Sequence, residues 1–447
     1  MKKIIICLFV LHFSPMIAQE HFSGITTSKR VGILSGGINP SEFANLSSKI
    51  EINLFASSFN VSNNKVGFKD ILEGNDVENL IFAGNDPVNF SIDAEFAGPG
   101  VAIKALGWGF GISSKYFIKA NIIDVDPNLG DAVSNNGINS ILAQTIISNN
   151  YNQRLNTTAW GEVGFSVARQ IFTNKLHKLN GGVTFKLLFP GAYANVGAGN
   201  FKGTITDNPI NGLVLTDANA SLNIAYSGSL AGNYNNVGDY TNNLFGSLNG
   251  MATDIGFDYQ FLPNGKNYRF KVGAAIKNMG SMTFKGDNNY STNYELNITG
   301  NESFNLNKLN NAESVKDIEQ ILLGSTYLKG TPQKKDFKVK LPTVLNLYAD
   351  VKVVSKLNVT LFLQQKMNDN NANDQITSQN SLSITPRINL GFFEAYIPVG
   401  FNEISGTTGG FGFRLGGFFM GSNSIITALA SDSKQADFYF GTRFGFL

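Results

Sequence analysis

The stretch ADFYFGTRFGFL, residues 436–447, decides the fold. Phe438, Phe440, Phe444 and Phe446 occupy even positions, with Thr442 between them. The odd positions carry Asp437, Tyr439, Gly441, Arg443 and Gly445. A period of two belongs to a β-strand, so one face of this strand is aromatic and the other polar or bare. A soluble strand would turn the aromatic face to a core. A strand of a membrane barrel turns it to lipid and the polar face to the lumen.

The same alternation recurs through the chain. Thr343, Leu345, Leu347, Ala349, Val351 and Val353 alternate with Asn346, Tyr348, Asp350 and Lys352. Ile255, Phe257, Tyr259 and Phe261 oppose Asp254, Asp258 and Gln260. Such runs are about ten residues long, where soluble strands average about five or six and membrane strands need about 9–11. Fourteen to sixteen of them can be marked, among them 213–226 and 290–299, while 121–155, 191–211, 227–249 and 368–378 read as Asn- and Gly-rich loops. Leu262-Pro263-Asn264-Gly265-Lys266 is a hairpin signal. The pattern predicts an all-β chain: a transmembrane antiparallel β-barrel of about 14 strands. Its lumen face would carry Glu162, Asp254, Asp258, Arg269, Lys271, Asn346, Asp350, Lys352, Arg387 and Arg443.

Composition fits this class. Charged residues are 15% of the chain, against about 25% in ordinary soluble domains. Aromatics reach 12%, mostly the 36 phenylalanines. A net charge of +2 argues for no nucleic-acid partner. Met1-Lys2-Lys3 followed by the apolar run from Ile4 reads as a secretory signal peptide over 1–18, cut near Ala18. The only cysteine, Cys7, lies in the middle of that run rather than after it, so neither lipidation nor a disulfide is expected. Export is therefore expected to end in the cell outer membrane. The remainder divides into an N-terminal segment, 19–48, and the barrel, 49–447.

Few residues carry chemistry. His21 and His177 are far apart in sequence and have no carboxylate beside them, so no catalytic residue is assigned and no enzyme is expected. Asp124, Asp126 and Asn128 imitate a calcium loop, but its glycine, Gly130, comes one place late and position twelve is Asn135. Asp369, Asn371 and Asn373 lack the glycine altogether. Neither metal nor cofactor is expected. The glycines of Gly107-Trp108-Gly109-Phe110-Gly111 alternate within a strand, which fits close approach of another segment better than a phosphate cradle. Helical spacing appears at Ile138, Ile141, Leu142 and Ile146, and again at Val315, Ile318 and Leu322 before Gly324.

GGINPSEFANLSSKIEINLFASSFNVSNN (36–64), KLPTVLNLYADVKV (340–353) and GGFFMGSNSIITALASDSKQADFYFGTRFGFL (416–447) together resemble the FadL-like barrels and the PorV-related outer-membrane proteins of Bacteroidota. Asn39-Pro40-Ser41 stands where the family pattern usually has Asn-Pro-Ala. The resemblance implies a fourteen-stranded barrel with 19–48 folded into the lumen as a hatch. Ile33, Leu34, Ile38, Asn39 and Pro40 would be its hatch and ligand-contact residues. It also implies that Phe438, Phe440, Phe444 and Phe446 form the signal read by the barrel-insertion machinery. The expected function is transport of small hydrophobic compounds across the outer membrane. The alternative is an accessory, non-transporting barrel of a type IX secretion or gliding machinery. Its partners would be outer-membrane lipid, the insertion machinery, and either a hydrophobic ligand or a secretion-system protein.

Overall fold

The computed structural model describes residues 21–134, 144–208, 210, 212–227, 246–263, 265, 267–285, 289–430 and 432–446. The signal peptide expected over 1–18 lies outside these residues, as do Ile138, Ile141 and Leu142. Ile146 departs from its helical reading, because it sits in the strand Gln144–Ser148.

Among the described residues fourteen strands pair antiparallel into a closed ring. They are β1 (Ile50–Asn63), β2 (Val88–Ala105), β3 (Trp108–Val125), β4 (Asn152–Thr173) and β5 (His177–Asn208). Next come β6 (Gly250–Phe261), β7 (Phe270–Phe284), β8 (Val344–Val354), β9 (Leu357–Lys366) and β10 (Ser381–Asn389). β11 (393–402) and β12 (406–415) are each interrupted once, at Ile397-Pro398 and at Gly410. β13 is Phe418–Ser422 and β14 is Gln435–Phe446. The ring closes where β1 meets β14, from Ile50 opposite Phe446 to Ser62 opposite Gln435.

The alternation read in the sequence sorts the two faces of this wall. On β6, Ile255 and Phe257 are exposed while Asp254 and Asp258 are buried. On β14, Phe438, Phe444 and Phe446 are exposed and Phe440 half-buried, whereas Tyr439 and Arg443 point inward and are buried. The outside is thus a belt of Phe, Ile, Leu and Val suited to lipid, and the inside is polar. Arg269 departs from its expected lumenal place. It lies one residue before β7 begins and is exposed.

At one end the strands are joined by short turns. Leu106 and Gly107 have φ of 51° and 79°, the left-handed pair that a two-residue hairpin between right-twisted strands requires. Long loops join the strands at the other end. In outer-membrane barrels the short turns are periplasmic and the long loops extracellular.

One side of the wall rises past the membrane. β4 has 22 residues and β5 has 32, far more than the roughly 9–11 that cross a bilayer. The span 191–211, read as a loop, is largely the upper part of β5. There it pairs with Gly212–Ser227, which in turn pairs with Tyr290–Ile298. These two strands alternate as wall strands do, but they belong to an extracellular lobe. Their apolar face is covered by the helix Val315–Leu323, whose Leu322 is buried beside Leu222, Tyr226, Tyr294 and Leu296. Ser314 caps that helix by accepting from the Asp317 N–H at 3.2 Å. The helical spacing at 315–322 is therefore a packing stripe of the lobe. Within it, Glu319 accepts the hydroxyls of Tyr226 and Tyr294 at 2.7 and 2.6 Å.

The mature protein is expected to fractionate with the outer membrane and to run faster on gels when unheated. Ile255→Arg, in the middle of the belt, should cost about 2–4 kcal/mol and Phe446→Arg at its edge about 0–1 kcal/mol, read from urea unfolding in liposomes. Equal costs, or a soluble protein, would contradict the lipid-facing belt.

Candidate functional site

Residues 21–48 run inside the ring as a plug, and the wall is shaped to receive them. Asn39 is extended (φ −155°, ψ 117°), as the proline after it demands. Pro40 opens a short 3-10 turn, Pro40–Asn45, and the Asn39 Oδ1 caps it by accepting from the Ser41 N–H at 3.0 Å. The Asn39 amide reaches the wall, donating to the Phe257 carbonyl at 2.9 Å. Backbone this close to a strand leaves no room for a side chain. A Cβ on Gly182 would stand 2.5 Å from Pro40 and Ser41, one on Gly109 2.1 Å from the Phe43 carbonyl, and one on Gly111 2.3 Å from the Phe43 ring. Gly109 and Gly111 of β3 are thus the floor under Phe43, the close approach their spacing predicts, whereas Gly107 lies before the strand, in the β2–β3 turn.

Around this turn the polar side chains close a network. Glu42 accepts from Lys271 at 2.8 Å and from the Tyr348 hydroxyl. Asn45 donates to Asp258 at 3.0 Å and accepts from Lys178 and Gln260, both at 2.8 Å. The plug's first part is tied to the opposite wall. Tyr439 donates to the Ser23 carbonyl at 2.7 Å, Arg387 to Thr27 at 2.9 Å, and Ser28 to Glu394 at 3.0 Å. Phe22 and Ile25 pack on Tyr396, Phe419 and Tyr439.

The five residues singled out in the plug are all buried but do not form one surface. Asn39 and Pro40 make the turn described above. Ile38 packs on Tyr348 and Phe362. Ile33 packs with Phe43, Leu46, Ala102 and Ala168. Leu34 lies with Val31, Ala56 and Ala97.

His21 has neighbours that its sequence position hides. Its Nδ1 lies 3.0 Å from Ser58 Oγ, and its Nε2 lies 3.1 Å from Asp93. The expectation that no carboxylate stands beside it is corrected here: β1 and β2 bring Ser58 and Asp93 to the start of the plug. The residue types are those of a Ser-His-Asp triad, but the ring nitrogens are exchanged, with Nδ1 on the serine and Nε2 on the carboxylate. Burial disfavours the charged imidazole, yet Asp93, with Glu95 behind it, outweighs this and the His21 pKa is raised. A ring biased toward its charged form by Asp93 serves as an anchor rather than as a base. Ser58 is buried and is not among the residues lining the cavity that His21 faces. His177 bonds Tyr259 at the far end of the wall, at 2.6 Å.

The wall charges also pair among themselves. Lys186 bridges Glu162 and Asp254 at 3.4 and 2.9 Å, and Lys115 meets Glu95 at 2.6 Å. Asp350, Arg387, Glu394 and Arg414 form a chain with links of 3.0, 3.3 and 3.4 Å. Between plug and wall remains a cavity of about 90 Å³, lined by Lys115, Lys119, Lys186, Lys277 and Trp160 among others. Among the described residues no group of three His, Cys, Asp or Glu is placed to hold a metal. The calcium-like stretches have other duties: Asp126 accepts from the Asn128 N–H at 3.0 Å, and Asn373 accepts from Asn152 at 2.8 Å.

Beside Ile33 and Leu34, β2 stays one continuous strand but breaks register with β3 through a bulge. Its register with β3 shifts between Ala97 and Gly100, across Gly98 and Pro99. Side chains replace the missing ladder bonds: Asn53 donates to the Gly98 carbonyl at 2.8 Å and Ser114 to the Pro99 carbonyl at 2.9 Å. Behind this break is a second cavity, of about 30 Å³, which Ile33, Leu34 and Phe43 help to line.

A raised histidine pKa makes the His21 anchor complete below about pH 6.5, where the unfolded imidazole is also protonated. The anchor is then lost as pH rises through the folded value. The melting temperature in detergent should therefore fall more between pH 6.5 and 9 in the native protein than in His21→Gln. Parallel falls would mean that another group titrates.

Comparison with known proteins adds a family. The crystal structure of the Pseudomonas putida toluene transporter TodX is similar over 96% of this chain and 98% of its own, at 7% identity and a TM-score of 0.43. A Pseudomonas aeruginosa FadL homologue is similar over 94% and 95%, at 9% identity and a TM-score of 0.31. The translocator domain of the autotransporter NalP from Neisseria meningitidis is similar over 89% of each chain, at 6% identity and a TM-score of 0.31. Among curated proteins none matches. The family model that matches covers residues 40–423, from the plug's turn to the loop after β13, and the chain accordingly belongs to DUF5723, a family of unknown function.

Proposed function

We propose that this outer-membrane barrel passes small hydrophobic molecules, with residues 21–48 as its hatch and the break at Gly98-Pro99-Gly100 as a side exit into the bilayer. The observation that supports this reading is the meeting of that break with apolar plug residues. Pro99 has no N–H to give the ladder. Gly98 and Gly100 fit where a larger residue would not: a Cβ on Gly98 would stand 2.7 Å from Ser114 Oγ, and one on Gly100 3.0 Å from the Ile112 carbonyl and 3.4 Å from the Ile33 side chain. The polar lumen makes a side route necessary. Each methylene removed from water contributes about 0.8 kcal/mol, but an alkyl chain lying along Lys186, Asp254 and Arg387 would strip those charges of their partners at a cost several times larger. A path from lumen to lipid at β2 avoids them.

An accessory barrel is the second reading, favoured by the ion-paired lumen and the firmly bonded plug. Two measurements separate the readings. Binding of a fluorescent fatty acid by the purified barrel should weaken at least tenfold in Ile33→Asp, and deletion of 20–48 should raise single-channel conductance. Absence of fatty-acid binding in native and variant protein alike, with a protein partner that stays bound through purification, would sink the conduit and leave the accessory role.

A further inference from the structure

The net charge of +2 conceals a strong separation of charge along the barrel axis. At the short-turn end, Lys29, Arg30, Lys49, Lys175, Arg269 and Lys356 are exposed. Among the described residues no exposed Asp or Glu accompanies them on the turns of that end. The carboxylates nearest to it, Glu51, Asp350 and Glu394, are buried and held by Arg443, Arg387 and Arg414. Exposed carboxylates such as Glu73, Asp76, Glu295 and Glu302 lie on the extracellular loops and lobe.

The periplasmic mouth itself is a basin of about 420 Å³ between plug and wall, lined by Arg30, Arg414 and Arg443 with Ser47 and Ser48. Arg30 donates to the Gly391 carbonyl at 2.8 Å, and Arg414 donates to the same oxygen at 2.9 Å. One carbonyl therefore serves two guanidinium groups. The Nε atoms of Arg414 and Arg443 are buried without a hydrogen-bond partner. Those atoms are closed off from the basin, and Arg414 and Arg443 are already paired with Glu394 and Glu51, so the exposed Arg30 is the guanidinium presented to a carboxylate.

We infer that this face docks an acidic peptide segment of a periplasmic protein, with a carboxylate seated in the arginine basin. Its position decides against lipid as the occupant. Lys175, Arg269 and Lys356 stand on turns of the wall, where headgroups reach them. Lys29 and Arg30 belong to the plug, inside the ring, with Lys29 over the Tyr268 ring and Arg30 on the β10–β11 turn. The basin runs from the rim, where Phe392 and Phe444 border it, to Arg30 of the plug. A headgroup of the surrounding leaflet meets the rim alone, whereas a peptide chain spans from the rim to the plug's Lys29 and Arg30. Six exposed like charges without exposed counter-charges on those turns also steer an acidic partner from beyond contact, within a screening length of about 8 Å at physiological salt. The inference does not depend on transport, because the mouth is present whether or not the hatch moves.

The test uses the full mature barrel in a neutral maltoside detergent, with a fluorescein-labelled peptide of six glutamates and anisotropy as the readout. Binding at 150 mM salt is expected to weaken at least tenfold in Arg30→Glu and less than threefold in Lys356→Glu. Both residues are exposed, and the unheated gel shift checks that each variant remains a closed barrel. Absence of binding at 100 µM protein, or equal losses in the two variants, would overturn the inference. So would complete displacement of the peptide by phosphatidylglycerol added to the micelle, because lipid would then be the natural occupant.

Discussion

A strand that crosses a bilayer has one face for lipid and must place every polar side chain on the other. In this chain that constraint governs nearly everything inside the ring. Fourteen such strands crowd Asp, Glu, Lys and Arg into a space with little room for water, where a lone charge is costly. Pairing follows: Lys186 between two carboxylates, Arg387 between two more. The plug supplies what the wall lacks. Glu42 answers Lys271, His21 answers Asp93, and Ser28 answers Glu394. Glycines supply the space, so the plug is held by shape and charge together.

Much of the wall was legible because lipid on one side and polar packing on the other leave the plainest period-two signal a strand can have. The limits of that signal are equally physical. Gly212–Ser227 and Tyr290–Ile298 alternate just as well, because a helix covering one face of a sheet selects the same pattern as lipid does. Alternation tells that one face is apolar but not what covers it. The upper part of β5 reads as a loop because Gly197, Gly199, Asn200 and Gly203 dilute its strand signal, although neighbouring strands hold it extended on both sides.

The site was less legible than the fold. The Asn39-Pro40 turn and the alternating glycines of β3 left local marks, since both are matters of backbone conformation. His21 left none. Its partners, Ser58 and Asp93, are 37 and 72 positions further along the chain, and only the register of β1 on β2 brings them together. The same holds for the mouth, where Arg30, Arg414 and Arg443 come from the plug and from two separate strands.

The bond from Tyr439 to Ser23 joins residues 416 positions apart, and it bears on how the molecule is built. The grip on the plug is complete only once β10 and β14 are in place, since Ser23 and Thr27 are held from those strands. The early segment must wait, largely unstructured, until the late strands arrive to enclose it. Contacts this distant in sequence are slow to form, because the intervening chain must first give up its freedom. Assembly is therefore expected to be all-or-none and late.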